Sequence, residues 1–286
     1  MSGAGDGPPL PEVPLDGGDH ALHETALVGG DVNVGENVVV RVGDTVRRPV
    51  GPHTAYVHAL LRHFERVGFD GAPRVIGFDE RGREVLTYVE GEPALEPLNP
   101  DNESLQALGA LIRRMHDAQA GYEPAPDWHE EPLEPPPGVT RGSEVVCHND
   151  VFPPNVILRD GLPAALVDWD FAGPAPRLYD VASAANFWVP LRPDSQAERW
   201  GLAGLPRGER LRLLCDAYGL IASERGELLD VVAHRNRIGY ELHRRNGGEL
   251  RLPGWKEMWD RGSGNVILER SAWFEANRSD LQRFLA

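Results

Sequence analysis

Two neighbouring stretches decide how this chain folds: CHNDVFPPN at residues 147–155 and LVDWD at residues 166–170. Between them, a short apolar run, the turn sequence Arg159-Asp160-Gly161 and a second apolar run predict a β-hairpin. Because the strands of a hairpin run antiparallel, we expect Asn155 and Asp168 to emerge side by side. The two stretches are therefore expected to form one site.

The residue types in these stretches suit phosphoryl transfer. That reaction needs a carboxylate to orient and deprotonate the attacking hydroxyl, and oxygen ligands to hold Mg²⁺ on the phosphates. Asp150 is the candidate base, and Asn155 and Asp168 are candidate Mg²⁺ ligands. A His-x-Asp-x-x-x-x-Asn match is expected by chance roughly 0.03 times in a chain of this composition. An Asx-turn followed by exposed acids is the alternative, and it explains the pattern less well.

Composition limits the class of protein. The 286 residues are 41% hydrophobic, enough to bury a substantial core. Two cysteines are too few for a disulfide framework, and no apolar run is long enough to cross a bilayer. Residues 1–20 lack the basic start and apolar stretch of a signal peptide. We therefore expect a cytoplasmic protein with no membrane partner and a flexible leader at residues 1–20.

The formal net charge of -15 argues against a nucleic-acid partner, because binding phosphates of DNA or RNA needs a basic surface. Most of the acidic excess is expected to be solvated surface. One proline-rich loop, residues 121–138, is more informative because residues 123–134 hold five acids and no lysine or arginine. This loop favours a cationic acceptor.

Periodic patterns outline the rest of the fold. Residues 27–50 alternate apolar and polar around glycines, which predicts a three-stranded antiparallel meander. Apolar residues at helical spacing predict a helix over residues 53–64, followed by strands at residues 74–78 and 84–89. From residue 179 onward the pattern is almost wholly helical.

These elements predict an α+β fold of two lobes. A small antiparallel sheet with one packed helix forms a nucleotide-binding N-lobe over residues 21–91. A larger, mainly helical C-lobe over residues 92–286 carries the catalytic loop and binds the substrate. We expect the active site in the cleft between the lobes.

The segments HNDVFPPN and LVDWD closely resemble the aminoglycoside phosphotransferase and choline kinase superfamily, a branch of the protein-kinase-like fold. Its signature is a His-x-Asp-x-x-x-x-Asn loop, an apolar strand, and Asp-Trp-Glu or Asp-Trp-Asp. The resemblance implies that Asp150 is the catalytic base and that His148 supports the catalytic loop. It also implies that Asn155 and Asp168 bind Mg²⁺ and that the acid of RLYDVA, Asp180, has a structural role.

The resemblance extends to the first lobe. GGDVNVGENVVVRVG is similar to the family's glycine-containing phosphate loop, which implies nucleotide contacts at Gly30 and Gly35. LTYVEGE is similar to the hinge, where backbone groups of Tyr88 and Val89 are implied to meet the nucleotide base. Asp170 stays open between a second metal contact, a substrate contact and a surface acid.

One position departs from the family. DTVRRPVG resembles the third strand, which normally carries a phosphate-binding lysine paired with an acid on the next helix. Here Arg47 or Arg48 must replace the lysine, and Arg47 aligns better. Residues 53–64 hold no acid, and His58 is nearest to its expected place. A solvent-facing basic pair at an edge strand is the alternative.

The resemblance implies an enzyme that uses Mg²⁺ and ATP or GTP to phosphorylate a hydroxyl of a small molecule. An aminoglycoside, another antibiotic or an amino-alcohol metabolite would fit as acceptor. The altered lysine and acid positions favour an alternative, a non-catalytic binding or immunity protein that sequesters a toxin or antibiotic. The intact Asp150, Asn155 and Asp168 favour the enzyme. The acceptor, the nucleotide and the choice between monomer and homodimer stay open.

Overall fold

The computed structural model of the protein describes residues 12–13, 24–27, 39–95, 97–98, 100–128 and 144–286. Its first part is a six-stranded sheet with the strand order β1-β5-β6-β4-β3-β2. The strands are β1 Glu12–Val13, β2 Thr25–Ala26, β3 Val40–Val42, β4 Thr45–Arg48, β5 Val75–Asp79 and β6 Glu84–Thr87.

The sheet confirms the antiparallel arrangement predicted for the first lobe, with β3, β4 and β6 paired in that way. In this register Arg48 lies opposite Glu84 and Arg47 lies opposite Val85. Successive residues of a strand face opposite sides of a sheet, so the two arginines point in opposite directions. Two residues of the predicted leader form β1, which runs parallel to β5.

Helix α1, Thr54–Val67, packs its apolar face against the core through the fully buried Leu60, Leu61 and Phe64. It ends at Gly68, whose φ of 76° is left-handed and whose N–H bonds the carbonyl of Glu65. Glycine adopts this conformation without a steric penalty. The helix predicted from residue spacing is thereby confirmed.

The second part of the chain is mainly helical, as predicted. Its strands are β7 Glu92–Pro93, β8 Glu144–Cys147, β9 Val156–Arg159, β10 Leu162–Leu166 and β11 Gly173–Pro176. Its α-helices are α2 Asn102–Asp117, α3 Leu178–Trp188, α4 Asp194–Ala197, α5 Arg207–Tyr218, α6 Ala222–His243, α7 Trp255–Asp260 and α8 Ser263–Leu285. Short 3₁₀ turns lie at Pro153–Asn155 and Glu198–Trp200, and a π-helical turn follows α6 at Arg244–Glu249. Within the described ranges, none of the helices combines the length and apolar character needed to span a membrane.

The hairpin of β9 and β10 is confirmed. Asp160 and Gly161 form its turn with φ values of 52° and 79°, the positive values that a two-residue hairpin turn of type I′ requires. Leu166 pairs with Val156, so the residues flanking that pair lie at one end of the hairpin.

Gly91 brings the chain from the sheet against this hairpin. Its φ is 134°, and a Cβ at this position would lie 2.4 Å from the carbonyl oxygen of Leu158. Only glycine tolerates both the conformation and the close approach. Directly afterwards, β7 pairs with β9, which fixes the hairpin beside the connection between the two parts of the chain.

Candidate active site

The catalytic loop follows β8 and holds Asp150 in a defined orientation. The side-chain amide of Asn155 donates to Asp150 Oδ2 at 2.8 Å, and the Asp150 N–H donates to His148 Nδ1 at 3.3 Å. Burial raises the pKa of Asp150 to about 6, and the negative charge of Asp168 acts in the same direction. A carboxylate that titrates near neutrality suits a general base.

Asp180, on α3, fixes the backbone of the catalytic loop through two hydrogen bonds. Its Oδ2 accepts the His148 N–H at 2.8 Å, and its Oδ1 accepts the Asn149 N–H at 2.7 Å. Asn149 has a φ of 62°, an unusual conformation for a residue other than glycine. Its side-chain amide also donates to the carbonyl of Phe171 at 3.0 Å. Several hydrogen bonds thus stabilise a strained loop geometry, as at many functional sites.

His148 connects the loop to the neighbouring strand end. Its Nε2 donates to the carbonyl of Val167 at 2.9 Å, and its ring packs edge-on against Trp169 at a centroid distance of 4.7 Å. The Trp169 indole in turn donates to the carbonyl of Leu166 at 3.1 Å. The described contacts of His148 therefore join the two stretches of the motif.

Asn155 and Asp168 lie at the same end of the β9–β10 hairpin, because the Val167 N–H donates to the Asn155 carbonyl at 2.9 Å. The Asn155 amide nitrogen is engaged by Asp150, which leaves Oδ1 as its ligand atom. The Asp168 side chain is 44% exposed. An amide oxygen and an accessible carboxylate are ligands that a hard divalent cation prefers, so these residues fit Mg²⁺.

Arg48 reaches this end of the hairpin from β4. Its Nε lies 3.2 Å from Glu84 Oε1 and its Nη1 lies 3.1 Å from Asp168 Oδ1. Its Nη2 contacts Asp170. Burial opposes the charge of Arg48, but the charges of Asp170, Asp168 and Glu84 outweigh it and raise its pKa above the usual range.

Arg47 lies on the other face of the sheet. It is buried, and its Nη1 is 3.7 Å from Oδ2 of Asp79, which is also buried. The alignment that favours Arg47 as the replacement for the lysine therefore disagrees with the geometry, which brings Arg48 to Asp168. Alternation along the strand explains why a shift of one residue reverses the assignment.

The first helix lacks the family's acid, and an acid on β6 contacts Arg48 instead. Glu84 is buried, and its Oε2 lies 2.7 Å from Nε2 of His58 on α1. His58 thus fixes the Glu84 side chain by a hydrogen bond, and Glu84 forms an ion pair with Arg48. Glu84 is not among the residues predicted for the site, although its place opposite Arg48 follows from pairing the two predicted strands.

The structure describes only some of the other residues that are predicted to contact the nucleotide. Tyr88 follows β6, its N–H donates to the carbonyl of Asp44 at 2.8 Å, and the guanidinium of Arg41 lies 3.5 Å above its ring. Because that amide is engaged, the Tyr88 carbonyl and the Val89 backbone are the candidates for contact with a nucleotide base. Gly30 and Gly35 lie outside the described residues.

A buried group of His116, Cys147 and Asp180 has metal-ligand atoms within 4.8 Å of one another. Both ring nitrogens of His116 are engaged, by Tyr218 Oη at 2.8 Å and by Asp180 Oδ2 at 3.0 Å. Burial raises the pKa of Cys147 well above its usual value, which keeps the thiol protonated. The group is therefore a hydrogen-bond network beneath the catalytic loop.

Solved structures of known proteins share this architecture. A choline/ethanolamine kinase family protein from Mesorhizobium loti superposes with a TM-score of 0.60 at 18% identity, covering 92% of each chain. An amicoumacin kinase in complex with AMP-PNP, Ca²⁺ and Ami also gives a TM-score of 0.60, at 14% identity, covering 91% of this chain and 88% of that one. The chain thus shares the fold of these two proteins.

Similarity in sequence indicates the family of the chain more closely than the shared fold does. The profile of the phosphotransferase enzyme family matches residues 131–214. A trifolitoxin immunity protein from Rhizobium leguminosarum bv. trifolii is 39% identical over 215 residues, which cover 72% of this chain and 78% of that protein. The chain belongs to the phosphotransferase enzyme family, with aminoglycoside phosphotransferases and choline/ethanolamine kinases among its structural neighbours.

Proposed function

We propose that this protein is a nucleotide-dependent O-phosphotransferase that moves a γ-phosphoryl group to a hydroxyl of a small molecule. One observation carries the proposal. The half-buried carboxylate of Asp150 is oriented by Asn155, and its pKa is raised to about 6. A base in this state, beside two Mg²⁺ ligand candidates, is what transfer to an alcohol needs.

In the proposed reaction Asp150 accepts the hydroxyl proton. The acceptor oxygen forms a bond to the γ-phosphorus, the bond from that phosphorus to the bridging oxygen breaks, and the nucleoside diphosphate leaves. Asn155 and Asp168 would hold Mg²⁺, which neutralises charge on the phosphates when it is bound. ATP or GTP is the proposed donor.

Arg48 is the proposed replacement for the family's lysine. Its guanidinium keeps the positive charge and presents a fork of donors suited to phosphate oxygens. Glu84 orients this fork and His58 fixes Glu84, which supports an intact phosphate site despite the altered sequence. Gly30, Gly35, Tyr88 and Val89 complete the proposed nucleotide contacts.

Nucleotide binding and turnover test the proposal. ATP or GTP should raise the melting temperature only when Mg²⁺ is present, since ligand at 100 times its Kd adds about 2.7 kcal/mol to stability. A nucleotide-consumption screen should then cover aminoglycosides, macrolides, choline-like alcohols and hydroxy acids. Failure of both nucleotides to stabilise the protein, together with no consumption, would contradict the proposal.

A second candidate is a non-catalytic immunity protein that sequesters a toxin. The 39% identity to a trifolitoxin immunity protein favours it. Protection of toxin-sensitive cells by the wild type and by Asp150→Asn separates the two candidates. Protection that survives Asp150→Asn indicates sequestration, whereas protection that is lost from an equally abundant variant indicates phosphorylation.

A further inference from the structure

Three arginines of the helical part, Arg192, Arg235 and Arg270, form what we call the arginine row. Arg192 follows α3, Arg235 lies on α6 and Arg270 lies on α8. Arg235 begins the row at the catalytic loop, because its Nη2 donates to the Asn149 carbonyl at 2.6 Å. Its positive charge also acts on the neighbouring Asp150.

The members of the row influence one another. The charge of Arg235 acts on Arg270, and the charge of Arg270 acts on Arg192. The segment that carries Arg192 is fixed against α8, since the side-chain amide of Gln196 donates to the Val266 carbonyl at 3.0 Å. Since α6 also packs against α8, the three arginines lie between the catalytic loop and α8.

The row differs from several other arginines of the same part, which pair with acids. Arg177, for example, lies 2.7 Å from Asp117. In the part of the chain that the structure describes, no carboxylate forms an ion pair with any of the three arginines of the row. The Nε atoms of Arg192 and Arg270 are buried and have no hydrogen-bond partner there.

This arrangement is unfavourable for the protein alone. Burial lowers the pKa of Arg192 to about 9 and that of Arg270 to about 10, and the neighbouring guanidinium groups act in the same direction. A buried cation normally has a counter-charge, and groups perturbed in this way cluster at functional sites. An anion bound at the row would supply the missing charge.

We propose that the arginine row binds an oxyanion, a carboxylate or a phosphate, on the acceptor molecule whose hydroxyl faces Asp150. This inference rests on the proposed phosphotransferase function. Because Arg235 is hydrogen-bonded to the catalytic loop, an anion bound at the row would lie near the base. Guanidinium groups bind such oxyanions through two parallel hydrogen bonds. The acceptor is thus an anionic alcohol, in contrast to the cationic acceptor that the acidic loop favours.

Anion binding is tested with acetate and inorganic phosphate as probes. Melting temperatures are measured at constant ionic strength in saturating ADP and Mg²⁺, so that phosphate does not report on the nucleotide site. The comparison includes Arg270→Gln, Arg270→Lys and, as a matched control on α8, the exposed Arg283→Gln, whose native partner is Asp280.

We expect the wild type and Arg283→Gln to bind a probe equally, and Arg270→Gln to bind it roughly 10- to 150-fold more weakly. Arg270→Lys should fall between them, because it keeps the charge without the fork. Preference for acetate identifies a carboxylate, and preference for phosphate identifies a phosphate group. Absence of binding to the wild type, or equal binding to Arg270→Gln, would overturn the proposal.

Phosphotransfer to matched acceptors separates this inference from the proposed function. Glycerate and glycerol 3-phosphate are compared with uncharged glycerol, and Arg270→Gln should raise the KM of the charged acceptor without changing that of the nucleotide. Transfer to uncharged or cationic alcohols with unchanged kinetics in Arg270→Gln refutes the anion site and leaves the phosphotransferase intact. Probe binding that depends on Arg270, without transfer to any alcohol, supports the anion site and contradicts the phosphotransferase.

Discussion

The catalytic loop around Asp150 and the strand that carries Arg48 hold their functional side chains by different means. Buried hydrogen bonds from the His148 and Asn149 N–H groups to Asp180 fix the backbone of the loop. Arg48 is instead held mainly by the charges of carboxylates, of which Asp168 and Asp170 are on the hairpin side and accessible to solvent. Hydrogen bonds to a buried acid therefore fix the catalytic loop, whereas ion pairs with accessible carboxylates hold Arg48.

The difference has a chemical consequence. Asp180 is fully buried, so no ligand competes for its oxygens. Asp168 and Asp170 are exposed enough for a divalent cation to take the place of Arg48, which would then be available to phosphate oxygens. We expect mutations on the loop side to affect turnover and stability, and mutations on the strand side to affect nucleotide affinity.

The largest effect is expected for Asp150→Asn. The amide keeps the size of the side chain but cannot accept the hydroxyl proton, so turnover should fall roughly 10²- to 10⁴-fold while nucleotide affinity is retained. Steady-state kinetics on an identified acceptor measure this loss. Asp160→Asn, the same change at the exposed hairpin turn, is the control and should leave turnover unchanged. Near-normal turnover of Asp150→Asn would remove Asp150 from the catalytic role.

Asp180→Ala should show that the loop depends on buried hydrogen bonds. It leaves His116 and the two loop amides without their acceptor, and each buried donor left without a partner costs about 1 to 3 kcal/mol, so we expect a total loss of about 3 kcal/mol or more. Urea denaturation should reveal a loss of this size. The matched Asp216→Ala removes an acid that is half exposed and pairs with Arg225, and it should cost about 1 kcal/mol or less. Similar losses for both variants would show that Asp180 is not the main support.

The catalytic loop could be predicted because its information is local. Asp150 and Asn155 are five residues apart, and the hairpin that returns Asp168 follows from a turn and two short apolar runs. Short sequence separation leaves few alternative geometries. The α+β fold was predictable for the same reason, since each element carries its own periodicity.

The strand side was less predictable because its partners come from distant positions. Arg48 meets Glu84, and it also meets Asp168, 120 residues further along the chain. A shift of one residue in strand register exchanges Arg47 for Arg48, and alignment to a family that has lysine there does not resolve it. The arginine row was missed for a similar reason, since tertiary packing alone assembles its members and they form no motif.

Arg48→Ala and Arg47→Ala sharpen the comparison directly. If Arg48 binds phosphate as proposed, Arg48→Ala removes a charged hydrogen bond worth about 1.5 to 3 kcal/mol and should weaken nucleotide affinity roughly 10- to 150-fold. Arg47→Ala should instead reduce stability, because it removes a buried charge beside Asp79. Calorimetric titration with Mg²⁺ and a non-hydrolysable nucleotide, together with urea denaturation, distinguishes the two outcomes. A larger loss of affinity for Arg47→Ala would restore the assignment that the alignment favours.

Glu84→Gln is the smallest and most selective change. The amide keeps the shape of the side chain and can still meet His58, but it removes the charge that orients the Arg48 guanidinium from the protein side. Since a single ion pair of this kind contributes up to about 1 kcal/mol, nucleotide affinity should fall roughly two- to fivefold. The exposed Glu80→Gln, in the turn before β6, is the matched control and should have no effect. In the double variant Arg48→Ala/Glu84→Gln, the second change should add nothing further, because Glu84 acts on the nucleotide only through Arg48. Additive losses would mean that Glu84 acts independently, and the helix acid of the family would then have no counterpart on β6.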